Sequence, residues 1–465
     1  MRYEKYKETP EAVWFISVPA NWRATKMREF FSERNTKVSD KDYPALSVGK
    51  MGVTPQLDTA VKTDNGDNRK LILKGDFAIN SRSDRKGSSG ISQYDGSASL
   101  IITVLKPHHE LNGRFYHYLL RSHYFIEEFY RSGHGLVSDL WTTKWDEMRN
   151  IYIPVPPREE QDQIVRYLDW KVSRINTLIH GYQRQFELID EQWQTIATHI
   201  CLKGLHKVTL KDSGSKWIGN IPCGWKTIKL GQFCSFQNGI SESGDFFTEG
   251  NPFVNYSDVY RHLELPENVS GRAKSNEKQQ AIYSVEKGDI FFTRTSENIE
   301  EAGMAAVCLH TITNAIFSGF LIRCRPIKNI MNTNFVKYYL QTPAVRNHFS
   351  STMNIVTRAS VGQYLLKQLT VVVPPMEEQL EIADYLDMEY RKYGRIKENI
   401  RHEIDLLKEY RTRLISDVVT GQTDVRHVSV PDYVPEDDMG KCEVDEGWID
   451  EEVATNADEY ERERL

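Results

Sequence analysis

Pro156-Pro157-Arg158-Glu159-Glu160-Gln161-Asp162-Gln163-Ile164-Val165-Arg166-Tyr167-Leu168-Asp169 returns 218 residues later as Pro374-Pro375-Met376-Glu377-Glu378-Gln379-Leu380-Glu381-Ile382-Ala383-Asp384-Tyr385-Leu386-Asp387. Each copy reads as the start of a long helix. Proline suits a first turn, whose N–H groups have no helical acceptor. The acidic pair suits the positive end of the helix dipole. Gly204 and Gly421 stand where left-handed C-terminal caps are expected. Between these ends Val165, Leu168, Val172, Ile175, Ile179, Tyr182, Phe186, Ile189, Trp193, Ile196 and Ile200 step by three and four without a break. That spacing is a coiled-coil seam. In the second copy only Lys397 and Arg411 interrupt the same frame. A helix of this span is ~53 Å long at ~1.5 Å per residue. A seam of that length needs a partner, and the other copy matches it in length and phase.

The repeat runs beyond the helices. Trp14, Pro19 and Trp22 are answered by Trp217, Pro222 and Trp225. Lys74-Gly75-Asp76 and Lys287-Gly288-Asp289 each precede an apolar run. Arg114-Phe115-Tyr116-His117-Tyr118 finds its counterpart in Asn334-Phe335-Val336-Lys337-Tyr338. Each half is therefore a mixed α/β domain followed by a long helix. Strands are expected at Asp76–Asn80, Ser99–Val104, Asp289–Thr293, Ala315–Ile322 and Leu369–Val373, and short helices over 114–131 and 334–349.

The 465 residues carry a net charge of −6, but unevenly. Residues 432–465 hold fourteen acidic and three basic side chains, leaving 51 acidic and 56 basic in the rest. The body is mildly basic, which permits nucleic-acid binding. The acidic tail reads as disordered, or ordered only on a partner. No apolar run is long enough to span a membrane, and the opening residues lack the apolar core of a signal peptide. Scattered cysteines without Cys-x-x-Cys spacing argue against zinc and disulfides and point to a reducing cytoplasm.

Signatures of catalysis are missing: no phosphate loop, no nucleophile elbow, no His-Glu-x-x-His, and no Asn/Asp-Pro-Pro-aromatic loop with a glycine-rich cofactor turn. The loops offer binding chemistry instead. After the first Gly-Asp strand come Ser81, Arg82, Ser83, Arg85, Lys86 and Ser88; after the second come Thr293, Arg294, Thr295, Ser296 and Asn298. A second loop precedes each long helix, with Ser138 to Lys144 in one half and Thr357, Arg358, Ser360 and Gln363 in the other. Arg suits guanine, Asn suits adenine, and Ser, Thr and Lys suit phosphates. These residues are the candidate DNA contacts.

With the doubled Pro-Pro-x-Glu-Glu-Gln-x2-Ile-x2-Tyr-Leu-Asp pattern and Trp217-Ile218-Gly219-x-Ile221-Pro222-x2-Trp225, the chain resembles the DNA-specificity subunits of type I restriction–modification systems over about residues 10–425. The resemblance implies two target-recognition domains, at 1–156 and 206–373. It also implies two long helices, at 157–205 and 374–421, forming an antiparallel coiled coil with an internal pseudo-twofold repeat. Residues 422–465 form the tail. The resemblance further implies no catalytic residue and no metal on this chain. S-adenosylmethionine belongs to two modification subunits that grip the helices; ATP and magnesium belong to restriction subunits. A bipartite, asymmetric site on double-stranded DNA is then expected, its half-sites roughly 10–15 bp apart at ~34–36 Å per turn. Two other readings stay open: the recognition subunit of a restriction system that cuts on both sides of its site, and a coiled-coil scaffold for proteins.

Overall fold

The computed structural model describes residues 2–57, 66–108, 112–135, 141–242, 244–247, 249–296, 303–352 and 359–432. It resolves into two compact units: Met1–Arg184 with the segment starting at Ile400, and Gln185–Asn399.

In the first unit a four-stranded antiparallel sheet runs in the order Ser89–Ile91, Phe77–Asn80, Ile102–Pro107, Phe31–Glu33. The second unit repeats that order with Ala305–Val307, Ile290–Thr293, Leu321–Pro326 and Cys234–Asn238. In both, the strand after the Gly-Asp turn is an inner strand. A separate two-stranded ladder joins Arg23–Lys26 to Tyr152–Val155, and Lys226–Lys229 to Thr370–Val373. These ladders bring the chain to each proline pair in an extended conformation.

Several elements differ from the sequence expectation. The expected strand Ser99–Val104 lies three residues later, at Ile102–Pro107. The stretch 315–322 splits into Ile316–Phe317 and the start of Leu321–Pro326 around a turn at Ser318. The expected single helices are each two. Gly113–Leu120 and His123–Arg131 part at Ser122, whose side chain caps the Phe125 N–H. Thr333–Tyr339 and Pro343–Thr352 part where Pro343 cannot continue the helical bonding.

The long helices span Arg158–Lys203 and Met376–Val419. Gln161 Nε2 donates to the Pro156 carbonyl at 2.9 Å, and Gln379 Nε2 to that of Pro374 at 2.8 Å. The glutamine of the motif thus ties its helix to the incoming strand. At the other ends Gly204 and Gly421 take φ of 78° and 74°, a conformation that a Cβ disfavours.

Along the helices Leu168, Val172, Ile175, Ile179, Phe186, Trp193 and Ile200 are buried on one, and Ala383, Leu386, Tyr393, Ile400, Ile404, Leu414 and Val418 on the other. Within the first unit Arg411 donates to the Asn176 Oδ1 at 2.7 Å, and Gln163 donates to the Val425 carbonyl at 3.0 Å. Within the second, Lys397 donates to both Asp190 oxygens at 2.8 Å and lies over the Phe186 ring, while His206 pairs with Glu381. In each unit the partner number falls as the other rises, so the packed segments run in opposite directions. Lys397 and Arg411, the two breaks in the seam, each meet a polar partner on the facing helix. Asn176 is only 3% exposed, so an apolar residue in place of Arg411 would take a charged donor from a buried amide oxygen.

A buried joint fixes each domain to its helices. In the first unit Glu160 Oε1 accepts from the Trp22 indole at 2.9 Å and from the Tyr3 hydroxyl, and its Oε2 accepts from Asn21 at 2.9 Å. The other side of Trp22 lies against Gly421, where a Cβ would come within 3.2 Å of the ring. In the second unit Trp225 donates to Glu378 at 2.8 Å and packs on Gly204, where a Cβ would be 3.1 Å from the ring. One indole therefore touches the start of one long helix and the end of the other. Glu160 accepts from two buried donors, Trp22 and Tyr3, besides the exposed Asn21, and Glu378 from one, Trp225; each stranded buried donor costs roughly 1–3 kcal/mol. Glu160→Ala is expected to destabilise its unit by about 3 kcal/mol or more and Glu378→Ala by about 1–2 kcal/mol. Denaturant unfolding with amide exchange to locate the loss checks this; equal losses would show that the donors do not act as described.

Candidate nucleic-acid interface

The loops begin at two turns built alike. Gly75 and Gly288 have φ of 90° and 94°. Asp76 accepts from the Leu73 N–H at 2.9 Å and holds Arg34 with two bonds of 2.6 and 3.0 Å. Asp289 accepts from the Glu286 N–H at 2.8 Å and holds Arg325 with bonds of 2.6 and 2.7 Å. Two bonds between planar groups fix orientation as well as distance, so the strand leaving each turn starts from a rigid base.

The two candidate loops of each half come together. In the first unit Arg82 bridges to Thr142, the Thr143 N–H donates to the Ser81 carbonyl at 3.0 Å, and the Ser83 N–H donates to that of Trp141 at 3.2 Å. In the second, Thr295 pairs with Ser360 and Ser296 with Ala359, and the Val361 N–H donates to the Arg294 carbonyl at 2.7 Å.

Their side chains divide into two groups. Arg82, Arg85, Lys86, Lys144 and Ser360 are exposed, while Ser83, Arg294 and Thr295 are half-buried. Lys86 is paired with Glu127 at 2.5 Å. Ser81, Ser88 and Thr293 are buried. Ser81 donates its hydroxyl to the Ile101 carbonyl at 2.8 Å, and the Thr293 Oγ1 accepts from the Met304 N–H at 2.9 Å. Of the sequence candidates, these three face inward and serve the loop framework. Asn298, Arg358, Thr357 and Ser138 lie outside the described residues, as does the acidic tail beyond Asp432. The Asn238 side chain, which the sequence did not single out, accepts from Gln363 Nε2 at 2.9 Å. Nothing in the local sequence signals this, because the two residues meet only through tertiary packing.

The aspartate of each Tyr-Leu-Asp motif carries the loops' domain. Asp169 accepts from Arg114 and from the Tyr118 hydroxyl, both at 2.7 Å. Asp387 accepts from Lys337 and from the Tyr338 hydroxyl, again both at 2.7 Å. The cation has changed place on the helix. Arg114 aligns with Asn334, and His117 with Lys337, so the charge sits three residues later in the second half, one neighbour along the same face. Among the described residues the neutral member is left without a hydrogen-bond partner in both halves: His117 at Nδ1 and Asn334 at Oδ1.

Burial holds the His117 imidazole well below its ordinary value of 6.5, helped by Arg121 and Arg114. The unfolded chain then takes up a proton below about pH 6.5 that the folded chain refuses, so stability falls with pH from there until the folded value is reached. The loss is on the order of 1 kcal/mol per pH unit. Melting curves between about pH 7.5 and 5.5 should show His117→Gln losing less stability on acidification than the natural chain. Parallel profiles would show that His117 is not the buried neutral base described.

Among the described residues no group of three or more His, Cys, Asp or Glu is placed to hold a metal ion, and no helix is long and apolar enough to cross a membrane.

Two domains that share the order of their four-stranded sheet, each presenting a bridged loop pair from a rigid turn and each bolted to a long helix, define a tandem loop-presenting module. The chain belongs to the family of the type I restriction modification DNA specificity domain, whose model matches residues 19–187 and 222–406. It is 21% identical over 281 residues to the type I restriction enzyme EcoKI specificity subunit of Escherichia coli strain K12, covering 58% of each chain. It is 21% identical over 292 residues to the MjaVIII specificity subunit of Methanocaldococcus jannaschii, covering 60% of this chain and 64% of that one. The matches thus span about three-fifths of these relatives' length. In a solved structure concerned with assembly and conformational transition of the type I R-M system, one chain shares the fold. Its TM-score is 0.65 at 16% identity, over 87% of this chain and 99% of that one.

Proposed function

We propose that this chain is the non-catalytic, sequence-specific DNA-binding subunit of a type I restriction–modification complex. Each domain reads one half of a bipartite, asymmetric site on double-stranded DNA. The long helices form an antiparallel coiled coil that relates the halves by a pseudo-twofold axis, sets the unread spacer and docks two modification subunits in the cytoplasm. S-adenosylmethionine is held by the modification subunits, and ATP and magnesium by the restriction subunits.

The observation that carries this reading is the pair of bridged loops, alike in frame and unlike in chemistry. Arg82, Arg85, Lys86 and Lys144 make the first set strongly cationic. The second set, with Arg294, Thr295, Arg358, Ser360 and Gln363, carries fewer cations. Loops on one frame with different side chains suit two different base sequences, and cations suit the phosphates beside them. The antiparallel contacts within each unit, and the polar pairs that fix their register, support a spacer of fixed length.

Binding selections on random duplexes test the division of labour. Replacing residues 1–150 with those of another family member should change one half-site and leave the other and the spacer intact; a change in both would refute it. Salt tests the mode of contact. The association constant should fall steeply with salt, with a logarithmic slope of about 0.9 per neutralised phosphate. Arg82→Ala, Arg85→Ala and Lys144→Ala together should lower that slope by roughly 2–3. A flat salt response would favour a protein-binding scaffold.

A further inference from the structure

The second loop pair stands beside a small, well-supported group of amides. The strand Cys234–Asn238 ends at Gly239, where an added Cβ would lie 2.0 Å from the Ser318 carbonyl oxygen. Only glycine permits that approach, and it is sealed by bonds from the Gly239 N–H to the Leu321 carbonyl at 3.2 Å and from the Ile240 N–H to that of Phe317 at 3.0 Å. Asn238 is thus held at the end of the sheet's edge strand, paired to Leu321–Pro326. Its Oδ1 accepts one N–H of the Gln363 amide. Gln363 opens the short helix Gln363–Gln368, whose buried Leu366 anchors it and whose Lys367 lies over the Phe236 ring.

This leaves Gln363 half-buried and oriented by a neighbour; among the described residues its second amide N–H and its oxygen have no partner. Next to it, Tyr364 is 77% exposed, among the most exposed large apolar side chains of the described residues. Ser360, two residues upstream of Gly362, is exposed on the strand that bridges to Thr295. An amide presenting one donor and one acceptor side by side matches the N7 and N6 edge of adenine in the major groove. An exposed ring beside it can meet the thymine methyl or stack on a neighbouring base. The corresponding place in the first unit carries Trp145 and Asp146, the aspartate exposed and paired with Arg149, so the amide-and-ring pair belongs to the second half alone.

We propose that Gln363, oriented by Asn238 and flanked by Tyr364, reads one adenine–thymine pair in the half-site of the second domain. This rests on the two-domain DNA reading above. The amide bonds to adenine as donor and acceptor together, Asn238 acts as a positioning residue, and the tyrosine covers the outer edge of the pair.

The test is selection from a random duplex library by the full chain and its variants, with melting curves run in parallel. Gln363→Ala should reduce the preference for an A·T pair at one position by about tenfold or more, leaving the other half-site and the spacer unchanged. Asn238→Ala should weaken the same position to a lesser degree. Gln363→Arg should shift that position toward G·C, a gain that an unfolded variant cannot produce. Tyr364→Phe should keep the site and Tyr364→Ala should blur that position or its neighbour. Unchanged preference at every position in Gln363→Ala, or no new G·C preference in a folded Gln363→Arg, overturns the inference while leaving the two-domain reading standing. A natural chain that selects no bipartite site overturns that reading and this inference with it.

Discussion

Four carboxylates in the opening turns of the two long helices fix the domains that present the loops. Glu160 and Asp169 do this on one helix, Glu378 and Asp387 on the other, and each accepts hydrogen bonds from side chains of the α/β domain beside it. A loop can discriminate bases only if its frame is held to a fraction of an ångström, since hydrogen bonds weaken steeply with angle. The helix dipole favours the charge of Glu160 and Glu378, which stand in the first turns, and bonds to any of the four charged acceptors are stronger than neutral ones. The doubled motif is therefore a joint, and it recurs because each domain needs one.

The same economy explains the two interruptions in the seam. Lys397 and Arg411 weaken an apolar stripe, yet each meets a polar partner on the facing helix, Asp190 and Asn176. An apolar seam alone tolerates slippage by a turn, because one heptad resembles the next. A polar pair across the seam favours one register, as single polar residues do in coiled coils generally. The two polar pairs thus fix which segments of the two helices meet within each unit.

Much of this was legible in the sequence, and what was not has identifiable causes. Helix starts and ends were readable because proline pairs and terminal glycines have backbone reasons to stand there. The Gly-Asp turns were readable as turns, but their arginines were not, because Arg34 and Arg325 arrive from strands far away in the chain. The move of the clamping cation from position 114 to position 337 was hidden by alignment, since it pairs Arg with Asn and His with Lys. Ser81, Ser88 and Thr293 looked like solvent-facing hydroxyls. Thr293 ends an inner strand buried along its whole length, and Ser81 and Ser88 stand just outside buried strand ends, so alternation no longer marks an outside there. The partnership of Asn238 with Gln363 was invisible for the same reason as the arginines: it exists only once the sheet has formed.

The most direct measurement is the map of modified adenines in cells expressing this chain with its modification partner. The account predicts two unlike short sequences separated by a constant number of unread base pairs. One contiguous recognition sequence, or half-sites whose separation varies from place to place, would contradict it.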